Sequence, residues 1–152
     1  MPIKSFRGQI KDEGTDLINL HTKDGSTGYR ITKFQNINAQ PGSQMIEGVM
    51  KIYKVPQTGT PDGLVDFNDQ TLLAVCYHED NDSTAYSTSQ VIIFDNEIFN
   101  QDIYITFKDV STGQAMNYYI ELEQVKLDLS ENTVATLKDI RNIEAQWANN
   151  II

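Results

Sequence analysis

The side chains best suited to acid–base or nucleophilic work in this sequence are His21, His78 and Cys76. Cys76 and His78 stand two residues apart, so on a strand they share a face. There they would serve as nucleophile and base, or as two ligands of one metal. Two ligands are too few for a metal site, and no third lies nearby in the sequence. In the competing reading Cys76 packs as a small apolar residue and His78 opens a polar loop. A lone cysteine excludes an intrachain disulfide, and no zinc cluster of cysteines fits within one chain. His21 is remote from both, and no serine or cysteine is marked as its nucleophile.

Hard oxygen donors gather at Asp80-Asn81-Asp82, where Asp80 and Asp82 are candidate calcium ligands. The glycine and distal glutamate of a helix-loop-helix calcium loop are missing, so solvated loop acids are the competing reading. Asp66-Phe67-Asn68-Asp69 has the same weakness. There is no glycine-rich phosphate loop, nucleophile elbow or zincin pair. The expectation is a chain that is not an enzyme and carries no cofactor. Among the seven tyrosines, those alternating with aliphatics read as strand core. Tyr86, in a run of serines and threonines, reads as an exposed loop aromatic of the kind favoured at protein and sugar contacts.

Most of the chain that would position these groups alternates with period two and is punctuated by turn residues, which is the strand pattern. The segments are Ile3–Ile10, Leu17–Thr22, Tyr29–Phe34, Met45–Val55, Thr71–Tyr77, Gln90–Phe94, Ile103–Phe107 and Met116–Leu129. Lys23–Gly28, with two glycines able to take positive φ, reads as a tight hairpin loop. The apolar phase slips between Ile31 and Phe34, as at a bulge. Met45–Val55 is apolar on both faces and is expected at the centre of its sheet. Thr71–Tyr77 and Gln90–Phe94 are nearly continuous apolar runs, expected to be buried on both sides. Pro56–Gly63 is the longest run of breakers and reads as a surface loop.

Past Ser130 the period changes. Val134, Leu137, Ile140, Ile143 and Trp147 recur every three or four residues, predicting an amphipathic helix over about 130–148. Together these features predict one all-β domain over residues 1–152. It would be a β-sandwich of about eight strands, a number that admits a jelly roll, closed by a C-terminal helix.

The 152 residues carry 12 basic and 21 acidic side chains, a net charge of −9. From Val55 to Phe107 there is no lysine or arginine, while nine acids fall in that span. Such a surface repels phosphate backbones and anionic lipid, so neither nucleic acid nor a membrane is an expected partner. No stretch approaches the roughly 18 apolar residues of a spanning helix. Met1–Arg7 lacks the apolar core of a secretory signal.

Several segments carry a resemblance: Gly28–Gln35, Lys51-Ile52-Tyr53-Lys54, Phe99–Ile105, Met116–Leu129 and Asn132–Glu144. As a set they resemble small β-rich virion structural proteins of marine bacteriophages. The resemblance carries no catalytic residues. It implies a capsid-associated role in the virion, with the major capsid protein or other virion proteins as partners and a homo-oligomeric state. A decoration or cement subunit is the leading expectation. The shell-building jelly roll itself and a module binding host surface or glycan are the alternatives. The expected contact residues are Ile3, Phe6 and Ile10 in the first segment, Tyr86, and the stripe Val134, Leu137, Ile140 and Trp147. Packing of the first segment and of that stripe on their own domain is the competing reading.

Overall fold

The computed structural model describes residues 2–42, 45–80 and 87–128. These form eight β-strands: β1 (Ile3–Ile10), β2 (Thr15–Ile18), β3 (Thr27–Asn38), β4 (Ile46–Tyr53), β5 (Leu72–Asp80), β6 (Ser87–Ile93), β7 (Ile103–Asp109) and β8 (Met116–Lys126). One sheet holds three strands in the order β1-β8-β3, the other five in the order β2-β7-β4-β5-β6. All pairings are antiparallel. The expected β-sandwich of about eight strands is therefore the architecture.

The strand order shares three of the four strand pairings of a jelly roll and lacks the fourth. β1 with β8, β2 with β7 and β4 with β5 pair like the rungs of one long hairpin wound into two layers. The remaining rung would join β3 to β6. Instead β6 bonds to β5 and extends the larger sheet, while β3 lies across the interior and approaches β5 more extensively than β6.

The two inner faces build the core in the alternation that a pleated strand imposes. Met116, Tyr118, Ile120 and Leu122 of β8 point in, and so do Met50 and Ile52 of β4. A bulge at Thr32, the unpaired residue between the Ile31–Leu122 and Lys33–Glu121 partners, brings both Ile31 and Phe34 to the inner face. This is the phase slip visible in the sequence. β4 lies between β5 and β7, as its two apolar faces predict.

Two connections tie the layers together. Tyr29 and Phe99 exchange backbone hydrogen bonds (Tyr29 N–H to Phe99 O, 2.7 Å; Phe99 N–H to Tyr29 O, 3.0 Å), and their rings stack at 6.3 Å. At the β7–β8 crossover the buried Asp109 carboxylate accepts from Glu47 N (3.1 Å), Ser111 N (3.0 Å), Ser111 Oγ (2.8 Å) and Gln114 N (2.7 Å). Burial alone would raise its pKa. The donors of Gln114, Ser111 and Glu47 outweigh that and hold the carboxyl below its ordinary value.

Three expectations need correction. Lys23–Gly28 does not close a hairpin: β2 belongs to the five-stranded sheet and β3 to the three-stranded one, so the segment crosses between layers. Its Gly25 does take a positive φ of 67°. The strand placed at Leu17–Thr22 runs instead over Thr15–Ile18. The run Gln90–Phe94 is not buried on both sides, because β6 is an edge strand with Val91 37% and Ile92 46% exposed. Thr71–Tyr77, by contrast, is largely buried, as expected. The predicted helix with Val134, Leu137, Ile140 and Trp147 lies outside the described residues, as do Asp82 and Tyr86.

Candidate functional site

The outer face of the three-stranded sheet is assembled in cross-strand rows. Arg7 stands opposite Tyr119, which stands opposite Gln35; one row on, Gln9, Asn117 and Ile37 align. A shallow depression of about 510 Å³ runs along these rows, lined by Arg7, Gln35, Ile37, Asn117 and Tyr119. The Gly8 backbone contributes to its floor, while on the inner side a Cβ there would stand 2.7 Å from the Tyr118 hydroxyl. The Tyr119 hydroxyl donates to Glu121 Oε1 at 2.7 Å, a bond that raises its pKa and keeps it a neutral donor. Gln9 Nε2 donates to Asn117 Oδ1 at 3.1 Å. Ile37 is 61% exposed at one end of the row.

The predicted contact residues of the first segment fall on both sides of this sheet. Ile3 is exposed on the outer face with Arg7. Phe6 packs partly against the core, and Ile10 is a core residue at 2% exposure. Period two accounts for the split: odd positions of β1 face out and even positions face in. Ile3, Phe6 and Ile10 therefore do not form one contact surface.

A second surface feature covers the larger sheet. Val49, Lys51 and Tyr53 occupy the outer face of β4, yet all three are buried. Over Lys51 and Tyr53 the covering chain is the breaker-rich loop read from the sequence, continued to Asp69. Lys51 Nζ donates to Leu64 O (2.5 Å) and to Asp62 Oδ1 (3.3 Å), tethering the loop to the sheet. Asp62, Asp66 and Asp69 each accept a backbone N–H two residues ahead, and Asp69 also accepts the Thr71 hydroxyl. They act as turn formers. Together with burial, they push the Tyr53 hydroxyl up to about 12. The depression between loop and sheet, about 330 Å³, thus favours cationic or neutral polar groups over anions. Among the described residues no three His, Cys, Asp or Glu side chains are placed to hold a metal ion. Asp80, the described member of the calcium candidate pair, accepts Gly42 N at 3.1 Å.

His21 has a partner that sequence inspection misses. Asp102 Oδ1 accepts from Leu20 N (2.8 Å) and His21 N (3.0 Å) and lies 2.7 Å from His21 Nδ1. Burial opposes ionisation of Asp102, but the bonds from His21 and Leu20 prevail and lower its pKa. This is how a carboxylate orients an imidazole, and only tertiary folding joins residues so far apart. No serine, threonine or cysteine hydrogen-bonds His21 among the described residues. Cys76 and His78 do share the inner face of their strand, as expected, but without a bond between them. The Cys76 thiol is fully buried, pushed up to about 11 by that burial, and contacts Ser89 Oγ at 3.8 Å. A buried protonated thiol is a poor nucleophile. Burial also lowers the His78 pKa, and its Nδ1 has no partner among the described residues.

No protein-family model matches the chain, and a search of curated protein sequences finds no match.

Proposed function

We propose that this chain is a non-enzymatic structural subunit of a bacteriophage virion, a capsid decoration or cement protein that meets the major capsid protein and further copies of itself. The observation that carries the reading is the outer face of the β1-β8-β3 sheet. It combines Tyr119, Arg7 and the exposed Ile37 on one sheet face, within a shallow depression rather than a deep cleft. Tyrosine and arginine are the residue types that concentrate binding energy at protein contacts. Each such contact is modest in area. Repeated over a symmetric shell, modest contacts sum through effective concentration into a stable particle. The acidic balance of the chain suits a protein that faces solvent rather than packaged genome.

The test is mass spectrometry of purified virions with the chain counted against the major capsid protein. A fixed stoichiometry is expected, with Tyr119→Ala lowering incorporated copies about tenfold or more, as loss of a contact worth over 1.4 kcal/mol would. Virions that lack the chain among their stoichiometric components refute the proposal. A strand order that shares three of a jelly roll's four pairings supports a second reading, in which this β-sandwich builds the shell itself. Copy number separates the two: a shell protein is the most abundant chain in the particle.

A further inference from the structure

We infer that the free edge of β6 is the seam by which two copies of this chain join, strand β6 pairing antiparallel with its own counterpart across a two-fold axis. Four strands end the two sheets: β1 and β3 in the smaller, β2 and β6 in the larger. Exposed edges template unwanted pairing, and proteins blunt them with charge or brevity. β1 carries Lys4 and Arg7, β3 carries Arg30 and Lys33, and β2 is four residues long with Asp16 at its second position. β6 has neither safeguard. Its sequence, Ser87-Thr88-Ser89-Gln90-Val91-Ile92-Ile93, is the one strand of the eight without an ionisable side chain. It is also rich in β-branched residues and contains no glycine or proline.

The edge is open on the described part of the molecule. β6 bonds to β5 on one side, and no described strand bonds to it on the other. β3 lies over the sheet rather than beside this edge, since it approaches β5 more than β6. Residues on both faces of β6 are exposed, from Thr88 through Ile92.

A second copy is the occupant that the charge pattern selects. Two chains of net charge −9 repel wherever their charged surfaces meet. The run from Ser83 to Phe94 holds no residue charged at neutral pH, so identical copies can approach there with least repulsion. The hydrogen-bond phase then sets the register. Phe94 N–H donates to Leu73 O, toward β5. Alternation along the strand therefore turns the N–H groups of Ser89, Val91 and Ile93 toward the open edge. With the two-fold axis at Gln90, the strand's centre, Ser89 of one copy faces Val91 of the other as a hydrogen-bonded pair. Gln90 faces itself as a non-hydrogen-bonded pair, the closer kind, with Cα atoms about 4.5 Å apart. The result is one continuous ten-stranded sheet across the dimer.

This interface stands apart from the face assigned to capsid contact, so each can fail alone. The test uses the full chain. Sedimentation at rising concentration is expected to show a dimer, strengthened by salt as repulsion is screened. Gln90→Lys, which sets two lysines face to face, should weaken association at least tenfold, while Ser5→Lys on β1 leaves it unchanged. Gln90→Cys should form an intermolecular disulfide under mild oxidation, because its Cα separation falls within disulfide range. Ser5→Cys should not. A chain that stays monomeric at 100 μM with a folded circular dichroism spectrum overturns the inference. So does a dimer indifferent to Gln90→Lys. A monomer whose Ser89 and Val91 amides resist hydrogen exchange would show the edge covered by its own chain, and overturns it as well.

Discussion

Replacing Asp109 by asparagine tests how the two sheets are fastened. The carboxylate is 3% exposed and accepts four hydrogen bonds within 3.1 Å, from Glu47 N, Ser111 N, Ser111 Oγ and Gln114 N. Asparagine preserves shape and lets one oxygen keep the Glu47 and Ser111 donors. It sets an NH₂ group against Gln114 N–H, where a carboxylate oxygen accepts at 2.7 Å. One charge-assisted bond is lost outright, worth about 1.5–3 kcal/mol, and the others weaken as the acceptor becomes neutral. The expected destabilisation is about 3 kcal/mol. With a urea m-value of about 2 kcal/mol/M, the unfolding midpoint should fall by about 1.5 M.

The pH dependence gives a second readout. The folded-state pKa of Asp109 is depressed, so its stabilisation is complete above the unfolded value of about 3.9 and is lost as pH falls through the lower folded value. The difference between native chain and Asp109→Asn should hold steady from pH 7 to about 5 and shrink below about 4. A difference under about 0.5 kcal/mol at pH 7, or one that widens toward pH 3, refutes the assignment of Asp109 as the fastening group.

Two further perturbations have defined outcomes. His78 is buried with its pKa held below the ordinary value by burial, against the pull of Asp80; unfolding then takes up a proton, so stability should rise with pH up to about 6.5, and His78→Gln should remove that slope in urea titrations at pH 5, 6 and 7. Gly48→Ala places a Cβ 2.7 Å from Phe107 Cε1 and 2.9 Å from Met116 Cε, inside the core, so it should destabilise by about 1–3 kcal/mol and lower the melting temperature by about 3–10 °C; an unchanged melting temperature would mean that β4 and β7 shift freely there.

Local patterns were read well where one strand's own side chains carry the information. β1 spans the expected segment, Ile3–Ile10, and the slip between Ile31 and Phe34 is the Thr32 bulge seen from the sequence side. The two apolar faces of β4 announced a central strand. Failures arose wherever neighbours decide. Lys23–Gly28 shows that the chain turns, but not that β3 resumes in the opposite layer. Val91-Ile92-Ile93-Phe94 looks like a buried run because periodicity cannot tell a central strand from an edge. Nothing in the sequence marks Lys51 as buried, and the loop folded over it makes it a buried tether. His21 and Asp102 meet because β2 lies beside β7, a pairing no local pattern encodes. The outer-face rows of the small sheet depend on β1 finding β8, so Tyr119 gave no sign of its neighbours Arg7 and Gln35.

That last pairing also governs how the molecule comes into being. Ile3 lies opposite Glu123 and Ile10 opposite Met116, so β1 cannot pair until β8 has been made. β2 likewise waits for β7. During synthesis a ribosome must deliver almost every described residue before either early strand can dock, and closure over such long separations is slow. Until then the nascent chain exposes its apolar strands and leaves β6 ungated by charge, the period in which untimely pairing between neighbours is most damaging. Translation that stops short of β8 would leave β1 and β3 without the strand that joins them.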